Sequence, residues 1–236
     1  MLKRPGRPSR SRGTQEMTEP KPGKAAMLFK KIEPWVPWTV SGVFLAAMAF
    51  LAFRWHTVGG LGVETDFYAE LYPQAKQLLE GNFTPLNYGA KGPVYSFLLA
   101  GMHLVVRDFF RAGLALNLLC AAGFLTVFYF LARKVFNSLT AAVALFAVST
   151  NYMFLTYAYQ AGSDMPFLLF CTLSLFFLFR DEGKLDLSLS AIFGLLAFLT
   201  RYNGAFLPAG AMVYFAFAGG TWRDRFRRAG VWLGVF

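Results

Sequence analysis

The sequence predicts an all-α protein with about six membrane-spanning helices and one further helix that lies on the membrane surface. Its residues are 56% hydrophobic and only 15% charged. The apolar residues fall in blocks of about 16 to 22, the length that crosses a hydrocarbon core about 30 Å thick. Lys and Arg cluster between those blocks, which is the pattern of topology signals. A polytopic transmembrane helical protein is therefore the predicted class.

The formal net charge of +10 does not indicate a nucleic-acid-binding surface. The positive residues lie in an N-terminal tail and in short clusters beside apolar blocks, where they set topology, so no nucleic-acid partner is expected. Cys120 and Cys171 both fall in the middle of apolar runs. They are expected to be small buried hydrophobic residues rather than a disulfide or a metal pair.

Residues 1–34 are predicted to be a disordered basic tail on the cytoplasmic side, and residues 35–236 the transmembrane domain. The tail has few large apolar groups and carries nine basic residues: Lys3, Arg4, Arg7, Arg10, Arg12, Lys21, Lys24, Lys30 and Lys31. The first span is predicted over Trp35–Phe53. Trp35 and Trp38 at one end and Trp55 at the other would anchor it at the two interfaces.

Residues 54–111 are predicted to form a loop with two short helices on the outer side. The first covers Pro73–Glu80, because proline favours a first helical turn and Gly81 can close the helix. The second covers Pro93–Val106. Its fourteen residues are few for a span, so an interfacial helix is expected.

Five further spans are predicted, over Ala112–Ala132, Leu139–Thr156, Met165–Phe179, Leu185–Thr200 and Ala205–Ala218. With Pro93–Val106 on the surface, the later basic clusters face the cytoplasm, as the positive-inside rule favours. This topology places Asp66 and Asp164 on the same outer face.

The end of the sequence leaves two interpretations of its last helices. One continuous helix over residues 185–218 is the alternative to a turn at Tyr202-Asn203-Gly204, but it would leave the four arginines between Trp222 and Ala229 outside. The turn is therefore preferred. Gly230–Phe236 resembles the start of another span, so the sequence is expected to be the N-terminal portion of a longer protein.

Two acidic residues at predicted membrane boundaries are the candidates for catalysis. Asp66 precedes a helix and two aromatic residues, where a carboxylate could act as a general base or as a metal ligand. Asp164 lies between two apolar runs, where an ionisable group tends to face a cavity or a partner. For both, the alternative is a capping residue at a helix start.

Cations near the same boundaries could bind a phosphate held at the membrane face. Arg201 ends a predicted span, and Lys91, Arg107 and Arg111 flank the surface helix. Contact of these side chains with lipid headgroups is the alternative. His56 and His103 stand alone in the sequence, and interfacial anchoring is expected for them rather than metal ligation.

Four motifs in order resemble those of the GT-C membrane glycosyltransferases, in the branch of the protein O-mannosyltransferases and aminoarabinose transferases (glycosyltransferase family 39 type). The resemblance extends over roughly Trp35–Ala218. Its first motif is Asp66-Phe67-Tyr68 with Ala75, Leu79 and Gly81, and its second is Lys91-Gly92-Pro93-Val94-Tyr95. The third is Gly162-Ser163-Asp164-Met165-Pro166, and the fourth is the segment from Gly194 to Gly204, which contains Thr200-Arg201. Phe67 stands where many protein mannosyltransferases have Glu, and Gly92-Pro93 replaces a double proline. These departures favour a bacterial-type transferase that acts on lipid or surface glycan.

The resemblance implies transfer of a sugar, with inversion, from a polyprenyl-phosphate donor to a lipid, glycan or protein acceptor at the outer face of the plasma (inner) membrane. It implies that Asp66 is the catalytic base or positions the acceptor, and that Asp164 assists at the same cavity, with a divalent cation as a candidate cofactor held by these two carboxylates. Arg201, Lys91 and Tyr68 are the implied substrate-binding residues, the two cations neutralising the departing phosphate.

Two other functions stay open at the level of the sequence. A transporter or flippase of lipid-linked substrates would carry ionisable residues within its spans and broken helices in two repeated halves, and the sequence indicates neither. A non-catalytic fragment or assembly subunit would tolerate substitution of Asp66 and Asp164.

Overall fold

The computed structural model describes residues 24–57, 66–89, 91–180 and 182–236. Every regular element in these ranges is helical, which confirms the all-α class. The α-helices are α1 Lys24–Ile32, α2 Val36–Trp55, α3 Tyr72–Leu79, α4 Val94–Val106, α5 Phe109–Val135, α6 Ser138–Ser149, α7 Tyr152–Tyr159, α8 Asp164–Arg180, α9 Lys184–Thr200, α10 Phe206–Phe217 and α11 Trp222–Val235.

The chain divides into two units, Met1–Pro34 and Trp35–Phe236. Within the first unit, residues 1–23 of the predicted tail lie outside the described residues. Lys24–Ile32 forms α1, with Lys30 and Lys31 in its last turn. This helix differs from the disorder predicted for residues 1–34. Its Ala, Met, Leu and Lys residues are good helix formers, and cations in a last turn are favourable to the helix dipole.

In the part of the chain that the structure describes, two helical stretches are long and apolar enough to cross a membrane, Leu28–Trp55 and Phe109–Val135. A third is added if α6 and α7 together form one span. Helices α8 and α9 have 17 residues each and α10 has 12. The membrane class of the protein is therefore supported, while the predicted number of six spans stays a prediction.

The span predicted over Leu139–Thr156 is broken into α6 and α7, which meet at an angle of 59°. Thr150 donates its hydroxyl to the carbonyl of Phe146 at 2.9 Å, and the side chain of Asn151 accepts a hydrogen bond from the amide of Phe154 at 3.2 Å. Short polar side chains compete in this way with the helical hydrogen bonds of the backbone. The apolar run is thus uninterrupted in sequence but bent in structure.

Helix α5 lies at the centre of the second unit and packs against α2, α4, α6 and α8. Buried side chains that recur every three or four residues form one stripe along it (Leu114, Leu118, Ala121, Leu125 and Tyr129). Further buried residues cover other faces of the helix (Leu116, Asn117, Cys120 and Phe124). A second cluster surrounds Trp232 of α11, whose indole N–H donates to Ser190 Oγ of α9 at 2.9 Å. These two clusters hold the ends of α4, α7, α8 and α9 in place.

Many large apolar side chains on the helices are exposed, including Phe50 at 62%, Val105 at 80% and Phe146 at 66%. A surface of this kind is costly in water and is expected where helices face lipid. It agrees with the class predicted from the apolar blocks.

Helices α9 and α10 are separate, so the alternative of one continuous helix is wrong. Arg201 has an extended backbone with φ −146° and ψ 128°, and Tyr202–Ala205 forms a 3₁₀ turn. A Cβ added to Gly204 would lie 2.6 Å from the backbone of Phe198. The chain folds back so tightly that only glycine fits, which confirms the turn predicted at Tyr202-Asn203-Gly204.

Candidate active site

Asp66 begins a helical turn that is anchored to α5. The π-turn Phe67–Leu71 is closed by a hydrogen bond from the amide of Tyr72 to the carbonyl of Phe67. Phe67 is buried, and a Cβ added to Gly113 of α5 would lie 2.9 Å from its ring. This anchor leaves the Asp66 side chain 66% exposed. π-Turns of this kind are frequent at functional sites.

The Asp66 carboxylate does not cap the turn; it pairs with Lys91 instead. Lys91 Nζ donates to Asp66 Oδ2 at 2.5 Å and lies 3.9 Å from Glu70 Oε2. The Lys91 side chain is only 11% exposed. A cation held this far from water needs a nearby negative charge, and these two carboxylates provide it.

Asp164 and Arg201 form a second ion pair. Arg201 Nη1 donates to Asp164 Oδ1 at 2.7 Å and to Ser163 Oγ at 3.3 Å. Asp164 is the first residue of α8, and Arg201 directly follows α9. The packing of α8 against α9 therefore brings the two charges together.

Both candidate acids line one cavity of about 170 Å³. Its wall is formed by Asp66, Phe67, Lys91, Asn117, Tyr157, Gln160, Ala161, Gly162, Ser163 and Asp164. Arg201 lies behind this wall, bonded to two of its members, Ser163 and Asp164. The prediction that Asp66 and Asp164 lie on one side of the molecule agrees with this geometry.

Gly92 brings the loop that carries Lys91 against the end of α9. A Cβ added to Gly92 would lie 1.9 Å from the carbonyl oxygen of Leu199, so no side chain fits there. The Tyr202 hydroxyl reaches the same region and donates to the carbonyl of Tyr88 at 2.6 Å. These contacts place Lys91 and Arg201 beside the same cavity.

The charges of the site set the ionisation of Asp66. The hydrogen bond from Lys91, and its charge together with that of Arg201, hold the pKa of the Asp66 carboxyl below its ordinary value despite partial desolvation. Asp66 is therefore ionised at neutral pH. Its Oδ1 makes no hydrogen bond to the described residues, so it is open to a molecule in the cavity.

Asn117 is a wall residue that sequence reasoning missed. It is 1% exposed and donates its side-chain amide to the carbonyl of Gln160 at 2.5 Å and to that of Tyr157 at 3.4 Å. These bonds fix the connection from α7 to α8, which carries Ser163 and Asp164. The sequence signal for Asn117 was an amide side chain within the apolar run that forms α5, where a buried polar group needs hydrogen-bond partners.

The remaining sequence candidates lie apart from the cavity wall. Tyr68 is 41% exposed and stacks on Phe110 with ring centroids 6.3 Å apart, while its neighbour Phe67 lines the cavity. His103 stacks on Phe109 at 3.7 Å. His56 lies against Tyr159 at 4.4 Å. These positions favour packing roles for the two histidines.

The other basic candidates have structural positions at helix ends. Arg107 ends α4 in the left-handed conformation with φ 57°. The backbone amide of Arg111 donates to Asp108, which caps α5. Neither arginine is part of the cavity wall.

Metal ligation was expected, if anywhere, at Asp66 and Asp164. Within residues 24–57, 66–89, 91–180 and 182–236, no group of three or more His, Cys, Asp and Glu side chains could hold a metal ion. Asp66 and Asp164 each face the cavity with one oxygen bonded to a cationic side chain. A divalent cation at these oxygens would have to displace Lys91 and Arg201.

Comparison with known proteins gives a match to a family. No curated protein and no solved structure matches the chain. The family model described as dolichyl-phosphate-mannose-protein mannosyltransferase matches residues 90–236. This range contains Lys91, Asp164 and Arg201, whereas Asp66 and Tyr68 precede it. Since the match covers more than half of the 236 residues, the chain belongs to the dolichyl-phosphate-mannose-protein mannosyltransferase family, whose members are glycosyltransferases of the GT-C type.

Proposed function

We propose that the protein transfers a sugar from a polyprenyl-phosphate donor to a lipid, glycan or protein acceptor, with inversion at the anomeric carbon. The observation that carries this proposal is the cavity lined by Asp66, Lys91 and Asp164, in which each carboxylate is paired with a cation. Such a site offers a base for the acceptor and positive charge for a phosphate.

Asp66 is the general base in this proposal. The acceptor hydroxyl attacks the anomeric carbon, its proton passes to Asp66, and the bond from that carbon to the phosphate oxygen breaks with its electron pair on the phosphate. Because Asp66 is ionised at neutral pH and its Oδ1 is open, it can accept the proton. Asp164 orients Arg201 through their 2.7 Å hydrogen bond.

Arg201 and Lys91 stabilise the departing phosphate. Both hydrogen bonds of Arg201 to described side chains use Nη1. Its Nε and Nη2 donors are therefore available for phosphate oxygens, the geometry that a guanidinium offers best. Lys91 has further N–H donors beside the one directed at Asp66. As charge grows on the leaving phosphate, these cations lower the energy of the transition state.

The site is assigned to the outer face of the plasma (inner) membrane, with the N-terminus in the cytoplasm. Two arguments support this assignment. The thirteen residues of α4 extend only about 20 Å, too short for a span. With α4 on the surface, the basic residues in the last turns of α5 and α8 and in the first half of α11 fall on the cytoplasmic side. A donor with a lipid tail can then present its phosphate at the bilayer edge.

The proposal is tested by sugar transfer in proteoliposomes. The full chain is reconstituted with a short-chain polyprenyl-phosphate mannose carrying a radiolabel, and release of label from the lipid into acceptor is followed. Wild-type protein should transfer label, and Asp66→Asn should lower the rate by at least about a hundredfold, the range typical of a lost general base.

The matched control is Asp108→Asn. Asp108 also precedes a helix, but it caps α5, and asparagine keeps the oxygen that accepts from the amide of Arg111. This variant should transfer sugar at the wild-type rate. Equal turnover by wild type and Asp66→Asn would refute the role given to Asp66. Failure of the wild type across mannose, glucose and aminoarabinose donors would refute the proposed activity.

A further inference from the structure

Glu70 lies one helical turn after Asp66 and shares its cation. The two acids are four residues apart on the turn that carries Phe67–Leu71, so both face Lys91. Glu70 Oε2 lies 3.9 Å from Lys91 Nζ. It is a buried oxygen without a hydrogen-bond partner among the described residues. Buried carboxylate oxygens are rarely left in this state, which calls for a physical reason.

The charge of Lys91 supplies that reason. The Lys91 side chain is 11% exposed, and among the described residues Asp66 is its only partner at hydrogen-bond distance. When Asp66 turns toward an acceptor hydroxyl, Lys91 loses that partner, and when Asp66 Oδ1 receives the proton, Lys91 loses the counter-charge. A desolvated ammonium without a counter-charge is unfavourable, so a second carboxylate within reach is needed to keep it in place.

We propose that Glu70 is a positioning residue of this site, which receives the Lys91 ammonium when Asp66 releases it. Glu70 Oε2 is near enough for a small movement of Lys91 to close the 3.9 Å gap to hydrogen-bond distance. Lys91 then stays charged at the cavity wall and remains available to the phosphate of the donor. The catalytic consequence of this inference rests on the proposed function. The exchange of Lys91 between Asp66 and Glu70 does not depend on that function.

The exchange is measured directly by the chemical reactivity of Lys91. The full chain in detergent is treated with a water-soluble amine-acylating reagent at fixed pH, and acylation of Lys91 is quantified by peptide mass spectrometry. An unpaired, desolvated amine releases its proton more readily and reacts faster. Asp66→Asn should raise the rate by less than about threefold because Glu70 takes over, whereas Asp66→Asn with Glu70→Gln should raise it at least about tenfold.

The matched control is Glu80→Gln, alone and combined with Asp66→Asn. Glu80 pairs with Lys76 at 4.0 Å on the exposed side of α3, so its loss should leave the reactivity of Lys91 unchanged. If Asp66→Asn alone reacts as fast as its combination with Glu70→Gln, Glu70 does not hold Lys91 and the inference is overturned. The same holds if the double variant reacts like wild type.

Kinetics give the second measurement. Glu70→Gln should lower kcat about tenfold with the donor KM within about twofold of wild type, because the misplaced Lys91 matters most as the phosphate departs. Glu80→Gln should change neither parameter. An inactive wild type would refute the proposed function and leave the acylation result to decide on Glu70. Normal kinetics of Glu70→Gln beside a dead Asp66→Asn would overturn the inference alone.

Discussion

Arg201 and Asp164 are separated by 37 positions and joined by a 2.7 Å hydrogen bond from Nη1 to Oδ1. The bond links the residue after α9 to the first residue of α8, and it leaves two sides of the guanidinium open. Asp164 and Ser163 line the cavity, and Arg201 is bonded to both of them; we propose that Asp164 aligns Arg201 for the reaction.

Arg201→Lys should lower sugar transfer at least about tenfold, because lysine cannot hold Asp164 and present a bidentate face to phosphate together. In the double variant Arg201→Lys with Asp164→Asn, the increase in activation free energy should be smaller than the sum of the increases in the two single variants. The coupling free energy should be about 1–3 kcal/mol. Rates of the four proteins in the transfer assay give this coupling. Arg107→Lys, outside the cavity wall, is the control, and additive losses would contradict the pairing.

Gly92→Ala should destabilise the protein and inactivate it. The added Cβ would fall 1.9 Å from the carbonyl oxygen of Leu199 and force the Lys91 loop away from α9. Gly101→Ala is the matched control, since Gly101 lies within α4 with nothing within 4 Å of an added Cβ. That variant should be stabilised by up to about 1 kcal/mol. Thermal unfolding in detergent measures both, and equal melting temperatures would contradict the close approach.

The acid limb of the pH dependence of kcat/KM should lie below the ordinary range of an aspartate. Lys91 holds the pKa of Asp66 down, so Asp66 stays ionised and active as pH falls, until the pH reaches this lowered pKa. In Lys91→Gln that influence is lost, the pKa rises, and the acid limb of the residual activity should move to higher pH. Lys76→Gln, an exposed lysine on α3, should leave the limb in place. A limb that does not move in Lys91→Gln would contradict the assignment.

Asn117→Asp should lower the free energy of unfolding by about 1–3 kcal/mol. Aspartate cannot donate to the carbonyls of Tyr157 and Gln160, and it leaves them unsatisfied at a buried position. Asn203→Asp, at an exposed position in the turn after α9, is the control and should unfold as wild type does. Chemical denaturation in detergent measures the difference, and equal stability of the two variants would show that the amide does not hold the wall.

The class of the fold and the positions of most helices could be predicted from the sequence, because apolar blocks of span length leave few alternatives in a membrane. The turn at Tyr202-Asn203-Gly204 and the short helix ended by Gly81 were predicted from glycine and proline chemistry. The bend at Thr150 and Asn151 was not, since whether such polar residues break a helix depends on their surroundings.

The candidate residues could be selected from the sequence, their arrangement could not, and their roles stay predictions. Asp66, Lys91, Asp164 and Arg201 could be selected because ionisable groups at membrane boundaries are costly unless they have a purpose. Which cation pairs with which acid depends on the packing of α8, α9 and the Gly92 loop, which no local pattern encodes. Neither Glu70 nor Asn117 stood out in the sequence as a candidate site residue. Tyr68 is exposed because the turn buries its neighbour Phe67.

The contact between Tyr202 and Tyr88 has a consequence for biosynthesis. It joins residues 114 positions apart, and Arg201 is the last of the four charged residues to be synthesised. The helices before α9 can pack against one another while the cavity still lacks its second cation. The Asp164 carboxylate is then without Arg201 until α9 is inserted. Correct folding of this site is therefore a late event that depends on long-range closure, and substitutions at Gly92 or Gly204 are expected to act first as defects of assembly.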